Sequence, residues 1–179
     1  MVELSQLETE RLVLRPPSVA DLGPLHEIWA DRDVMRYVGV GNAHAKDVDE
    51  SERRLARLLA HQEKHGFSLW VAADRETGTV LGDCGLVEFA FRGPEVELAY
   101  RFGKAYWGRG YATEAATAWT GRGLHELGLE TIVAVTHPEN EASQRVLEKA
   151  GFRYEGPHLY EGVRMRQFRV RRNGRPVRA

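Results

Sequence analysis

A strand-like run, Glu95 to Phe102, is joined to a second one, Thr131 to Thr136, through a glycine-rich loop and a helical run from about Thr113 to Leu127. Two strands separated by a helix of that length cannot close as a hairpin. The connection is a crossover, and it sets the strands parallel. The helical run stops at Gly128, a residue type suited to the turn beyond a helix end. What comes before is different in kind. Phe67 to Ala73, Thr79 to Ala90 and Glu95 to Phe102 follow one another through two turn-forming stretches, Arg75-Glu76-Thr77-Gly78 and Arg92-Gly93-Pro94. They read as an antiparallel meander. One parallel pair inside an otherwise antiparallel sheet gives an α+β fold: a mixed, mostly antiparallel twisted sheet with helices on both faces.

The flanking segments fit that sheet. Arg11 to Arg15 is a short strand candidate stopped by Pro16 and Pro17, and Ser18 with Asp21 forms a helix-start pair ahead of the apolar spacing Leu22, Leu25, Ile28, Trp29. Val48 to His65 carries Leu55, Leu58 and Leu59 among many charges, so a second helix with one buried stripe is predicted, ended by Gly66. After Thr136 come a helix from about Glu141 to Ala150, the helix-ending Gly151, and one or two weaker strands up to Arg172. There is no repeat and no linker, so residues 1–179 read as one domain, with 173–179 a frayed tail.

Composition excludes several classes. A net charge of -1 gives no whole-molecule attraction to nucleic acid or anionic membrane, and no apolar run approaches the ~20 residues of a membrane span. Cys84 is the single cysteine, so no intramolecular disulfide forms, and the N-terminus has no hydrophobic signal core. A cytoplasmic enzyme is expected. The seven histidines show no metal spacing, and no metal is expected.

The loop Lys104 to Ala115 (KAYWGRGYATEA) carries the strongest chemical signal. Gly108 and Gly110 remove side chains that would hold a ligand off the backbone, and the helix that follows points free amides at the same spot. A helix N-terminus favours an anion by roughly 0.3 to 1 kcal/mol when exposed, and a diphosphate collects several amides at once. Arg109 can add a charged contact. On the glycines alone, a plain strand-to-helix turn has equal weight. The dinucleotide-binding pattern is broken by Thr113, and no GxxxxGK[ST] occurs.

Three segments in this order, Glu97 to Phe102 (ELAYRF), Trp107 to Ala115 (WGRGYATEA) and Asn140 to Phe152 (NEASQRVLEKAGF), resemble the GNAT superfamily of acetyl-CoA-dependent N-acetyltransferases. The opening LETERLVLR through WADRDVMRYVG is similar to the branch that acetylates ribosomal-protein N-termini, RimJ/RimL-like, and the likeness covers about residues 7 to 156. The resemblance implies that the coenzyme A diphosphate meets the amides of Gly108, Arg109, Gly110, Tyr111, Ala112 and Thr113, with Trp107 opening the motif. It also implies a bulge in the strand before the loop, a splay of the parallel pair, and backbone contacts from Tyr100 and Phe102 to the pantetheine arm. Asn140 would contact the same arm, and Ser143 would lie by the sulfur. Homodimers are plausible for such proteins, but nothing in the residues requires one.

Acetyl transfer needs a neutral amine, a route for its proton, oxyanion stabilisation and a proton for the leaving thiolate. Glu97 lies in a strand expected to be central, where burial raises a carboxylate's pKa and suits it to accept a proton; a structural ion pair with Arg101 is an equal reading. Glu88 and Glu161 are weaker candidates. Ser143 could protonate or hydrogen-bond the thiolate, although on physical grounds alone the pattern NxxS is better explained by Asn140 as a helix cap and Ser143 as a first-turn residue. The tyrosine that many GNAT enzymes place seven residues after this asparagine is Leu147 here, and the Phe102 amide is the candidate oxyanion donor. His137, Cys84 and the tryptophans Trp29, Trp70, Trp107 and Trp119 take ordinary readings as loop, packing and wall residues. The arginine-rich run Arg164 to Ala179 holds an alternation, Met165 to Val170, that reads as an edge strand with a frayed basic end rather than an RNA-binding tail.

The resemblance implies a primary amine as the acceptor. A model α-amine of pKa near 7.8 is roughly a tenth neutral at pH 7, whereas a lysine is neutral about four times in ten thousand. A protein or peptide N-terminus is therefore the leading expectation. Small amines (polyamines, amino acids or aminoglycosides) come second, and a non-catalytic acyl-CoA sensor is the alternative of another class. The variable loops Tyr37 to Lys46 and Gly156 to Gly162 would shape the acceptor pocket.

Overall fold

Local signals start and stop most of the helices. Asp21 accepts hydrogen bonds from the Ser18 amide (2.8 Å) and hydroxyl (2.9 Å) and pairs with Arg15, which turns the chain into α1 (Leu22–Ala30) with Leu25, Ile28 and Trp29 buried. The Asp47 carboxylate accepts from the Glu50 amide at 2.8 Å to start α2 (Val48–His65), and Gly66 at φ 76° ends it. These bounds match expectation because both caps are written in the sequence. The computed structural model describes residues 6–39 and 43–172. The expected tail at 173–179 and part of the loop Tyr37 to Lys46 lie outside the described residues.

Eight strands form one sheet: β1 (Leu7–Glu8), β2 (Leu12–Arg15), β3 (Leu69–Asp74), β4 (Val80–Glu88), β5 (Val96–Phe102), β6 (Thr131–Thr136), β7 (Arg153–Tyr160) and β8 (Val163–Arg171). Their order is β1-β2-β3-β4-β5-β6-β8-β7, and β5 with β6 is the parallel pair. The helices α3 (Tyr111–His125) and α4 (Glu141–Lys149) complete the fold. The sheet divides the core. One side holds Leu98, Phe102, Trp119, Leu147 and Phe168 with α3 and α4, and the other holds Leu25, Trp29, Leu55 and Val71 with α1 and α2. At Gly123 an added Cβ would fall 2.7 Å from the Ile132 Cδ1 and 2.8 Å from the Leu86 Cδ1, so these side-chain ends would have to shift to admit any larger residue where α3 rides on the sheet. Among the described residues no helix is long and apolar enough to cross a membrane.

Four expectations need correction. The two-residue β1 pairs with β2 and was not visible in the sequence. The long run expected to reach Ala90 ends at Glu88, because Ala90 and Phe91 take φ of 52° and 55° and turn the chain out of the strand. The run Met165 to Val170 is not an edge: β8 sits between β6 and β7, since Phe168 and Met165 must be covered, and the partly exposed β7 takes the rim. The bulge expected in the strand before the loop is absent. The β4–β5 ladder is unbroken from Gly82↔Phe102 to Glu88↔Val96, and the register shifts fall in the β3–β4 and β7–β8 ladders at Ala72/Ala73 and Tyr154/Gly156. The expected splay is present. β5 and β6 pair at Glu97↔Val133, and no ladder joins them beyond that point.

Candidate active site

Past β5 the chain runs through a short 3-10 turn, Lys104–Tyr106, into Gly108 at φ 72° and Gly110 at φ 85°. Both conformations strain any residue with a Cβ. Gly110 caps α3 with no side chain, and the first bond of the helix runs from the Glu114 amide to the Gly110 carbonyl at 3.0 Å. The amides of Tyr111, Ala112 and Thr113 therefore have no partner within the helix. With Trp107, Gly108 and Gly110 these residues line a cavity of about 840 Å³. An anion is favoured there. Arg109 departs from expectation: it is exposed and does not line the cavity, so it offers the loop backbone only.

The loop is braced from a place the sequence did not indicate. Glu114, in the first turn of α3, accepts from the Arg11 amide (2.8 Å), Arg11 Nε (2.8 Å) and the Thr9 hydroxyl (2.6 Å). Burial alone would raise the Glu114 pKa, but the bonds from Thr9 and Arg11 outweigh it and hold the carboxyl below its ordinary value. Arg11 also donates from Nη1 to the Arg109 carbonyl at 3.0 Å and lies 4.4 Å over the Tyr111 ring. One arginine thus ties β2 to both ends of the glycine turn.

The splay of β5 from β6 opens the other half of the cavity. The Gly103 amide bonds to the Leu81 carbonyl at 2.9 Å, which sets the phase of the β4–β5 ladder. By alternation the backbone groups of Tyr100 and Phe102 face away from β4, toward the opening. The Phe102 carbonyl is taken by Trp107 Nε1 at 2.7 Å, leaving its amide on that side. Glu97 sits where the two strands part and lines the cavity. Burial pushes its pKa up to about 7, against a smaller opposite pull from the amides of Ala90 and Val135. The ion pair with Arg101 does not form, because Arg101 Nε bonds to Asp83 at 2.8 Å. Burial first, and then the nearby Glu97 carboxylate, raise the Tyr160 phenol to about 12.

Across the opening, α4 presents its N-terminus. The Asn140 side chain accepts from the Ser143 amide at 3.2 Å, so the capping role is real, and both residues line the cavity as well. The Ser143 hydroxyl lies 2.8 Å from the Tyr100 hydroxyl, which also donates to the Ser143 carbonyl at 3.1 Å. Burial raises the Tyr100 pKa, so this phenol stays neutral. Leu147 is fully packed in the core.

The model of the acetyltransferase (GNAT) domain matches residues 11–153. The chain belongs to the GNAT family. This GNAT acetyltransferase is 35% identical over 152 residues to the uncharacterised protein YkkB of Bacillus subtilis (strain 168), a match covering 84% of this chain and 86% of YkkB. Its fold is shared with the ribosomal-protein-S5-alanine acetyltransferase from Vibrio fischeri (TM-score 0.75, 18% identity, 96% of this chain and 99% of that one). It is equally shared with spermidine N-acetyltransferase from Vibrio cholerae, solved with CoA and spermine (TM-score 0.75, 19% identity, 92% and 98%). The chain is an acetyl-CoA-dependent N-acetyltransferase.

The remaining candidates take ordinary places in this GNAT domain. His137 stacks on Tyr37 at 5.0 Å and accepts from the Glu139 amide. Cys84 is buried with its thiol pKa pushed well up by burial. Trp29, Trp70 and Trp119 are core, whereas Trp107 is half-exposed at the rim. Glu161 sits in the β7–β8 turn against Arg92. Glu88 joins His61 and His65 in a cluster with ligand atoms within 4.8 Å, a proximity the sequence reading missed because Glu88 is far along the chain. In that cluster both ring nitrogens of His61 are bonded to backbone, the Phe67 carbonyl at 2.8 Å and the Glu88 amide at 3.1 Å.

Proposed function

We propose that this N-acetyltransferase acts on an α-amine, that of a protein or peptide N-terminus, as its RimJ/RimL-like opening segment suggests. One observation carries the reading: Glu97, with a pKa of about 7, lines the same cavity as the uncapped N-terminus of α3. A base of pKa near 7 takes a proton from an α-ammonium of pKa about 7.8 at a cost of about 1 kcal/mol, against about 5 kcal/mol for a lysine ammonium near 10.4. The residue matches the easier amine.

In this mechanism the amides of Tyr111, Ala112 and Thr113 hold the diphosphate, and the splayed backbone of Tyr100 and Phe102 holds the pantetheine arm with Asn140 beside it. Acetyl-CoA supplies the thioester, whose C–S bond breaks as the new C–N bond forms. Glu97 accepts the amine proton, directly or through water. The Phe102 amide meets the oxyanion. Ser143, its hydroxyl oriented by Tyr100, donates to the departing sulfur, and the raised phenol pKa makes Tyr100 a fixed partner rather than a proton source.

Incubation of purified protein with acetyl-CoA and a panel of N-terminal peptides, read by thiol release and peptide mass, tests the proposal. Acetylation confined to the α-amine is expected. Turnover of polyamines with none of the peptides would favour the small-amine reading instead.

A further inference from the structure

Two guanidinium groups share one carboxylate on the α1–α2 side of the cavity. Asp83 accepts from Arg101 Nε at 2.8 Å and from Trp29 Nε1 at 2.7 Å, so each of its oxygens already has a donor. Arg54 lies in the same cluster with no carboxylate of its own: it donates to the Ala43 carbonyl at 2.7 Å and to the Met35 sulfur. Both guanidinium groups lie over the Trp29 ring, at 5.4 and 5.5 Å. Burial, and then repulsion from Arg101, lower the Arg54 pKa to about 10. Arg57 and Glu50 also act on Arg54 with opposite signs, so Asp83 alone leaves the buried positive charge only partly compensated, and an uncompensated buried charge is costly unless something else supplies the counter-charge.

Arg101 is where that counter-charge can enter. Its side chain is only 10% exposed, it lines the cavity, and its Nη2 is enclosed with no hydrogen-bond partner among the described residues. Holding Asp83 uses the Nε edge alone and leaves the outer edge of the fork unused. Of the other cations lining the cavity, Lys104 is paired with Asp33 and Arg145 with Glu141, Arg36 lies over the Tyr37 ring, and Lys149 sits at the far end of α4. Arg101 stands four residues beyond Glu97 on the same face of β5, so the two Cα atoms are about 13 Å apart. Both side chains line the one cavity.

We infer that the acceptor of this enzyme carries a carboxylate, seated on the free edge of Arg101, while its amine lies at Glu97; the inference rests on the proposed N-acetylation. The carboxylate completes a cluster of two arginines and two acids and fixes the amine by a charge-assisted contact. A polyamine would instead bring a second cation against Arg101. The carboxylate can be the α-carboxylate of a free amino acid or an acidic side chain near a peptide N-terminus.

Matched acceptors test this. Acetyl transfer to free amino acids is compared with transfer to their amides, and to amidated peptides with Asp or Glu after the first residue against the same peptides with Asn or Gln. Spermidine is included, and acetyl-CoA binding is followed separately. The wild-type protein is expected to favour one carboxylate series over its neutral partner at least tenfold in kcat/KM, mostly through KM. Whichever pair shows the preference identifies the source. The ratio should fall toward one in Arg101→Gln and recover in part in Arg101→Lys. If Arg101→Gln does not fold, the wild-type ratios decide. Equal use of neutral and carboxylate acceptors, preference for spermidine, or no turnover of any carboxylate acceptor despite acetyl-CoA binding would overturn the inference. Failure to bind acetyl-CoA would overturn the functional reading itself, and the inference with it.

Discussion

Glu97 owes its pKa to where two strands separate. Its carboxylate leaves bulk water, which raises the pKa from 4.5 to about 7, while the amides of Ala90 and Val135 hold it short of full neutralisation. The Ala90 amide is delivered by a turn with two positive φ values, and the His61 ring accepts from the Glu88 amide at the foot of that turn. Glu97→Gln is expected to lower kcat by at least a hundredfold with the acetyl-CoA KM little changed, and to abolish the acidic limb of the pH–rate profile near pH 7. The folded-state pKa lies above the unfolded one, so the linked stability is fully present below about pH 4.5 and is lost as pH rises through 7. Thermal melts should therefore show Glu97→Gln gaining on the wild type by on the order of 2 kcal/mol between pH 4 and 8, after allowing for the side chain's partial contact with water. Ser143→Ala should reduce kcat by about tenfold without moving the acetyl-CoA KM, measured under saturating acceptor. Strand position singled out Glu97 as a candidate, whereas Ser143 came from the family resemblance, its helix-start spacing by itself favouring a structural role. The sequence reading missed the Tyr100 hydroxyl, since only the packing of α4 over β5 brings that oxygen to Ser143.

The element on which acetyl-CoA binding depends is the glycine turn with the first turn of α3. Its amides are free because Gly110 has no side chain to cap them, and the turn is held in place by Arg11, the residue just before β2. Arg11→Ala is expected to raise the acetyl-CoA Kd several-fold in calorimetry and to lower the melting temperature at neutral pH. Glu114 has a depressed pKa, so its stabilisation is present above about pH 4.5 and lost as pH falls below it. The melting difference between wild type and Arg11→Ala should shrink toward pH 3. The helix ends were legible wherever caps are local, as at Asp47 and Gly66. The Arg11–Glu114 brace was not, because 103 residues separate its partners. β8 was misread as an edge because alternation reports which face is buried and says nothing about which neighbour covers the strand.

At the scale of the whole molecule, the sheet divides the chain into two cores and the labour with them. The α3–α4 side holds the anion cradle, the α1–α2 side holds the two-arginine cluster, and the parting of β5 from β6 connects them through one cavity. The crossover pattern in the sequence predicted the parallel pair. The splay came from the family resemblance, and the size of the opening from neither. The most direct measurement is a crystal structure of the protein with coenzyme A. The diphosphate should lie within hydrogen-bonding distance of the Tyr111, Ala112 and Thr113 amides, with the pantetheine arm between β5 and β6. A coenzyme bound elsewhere, or a diphosphate out of reach of those amides, would contradict the account.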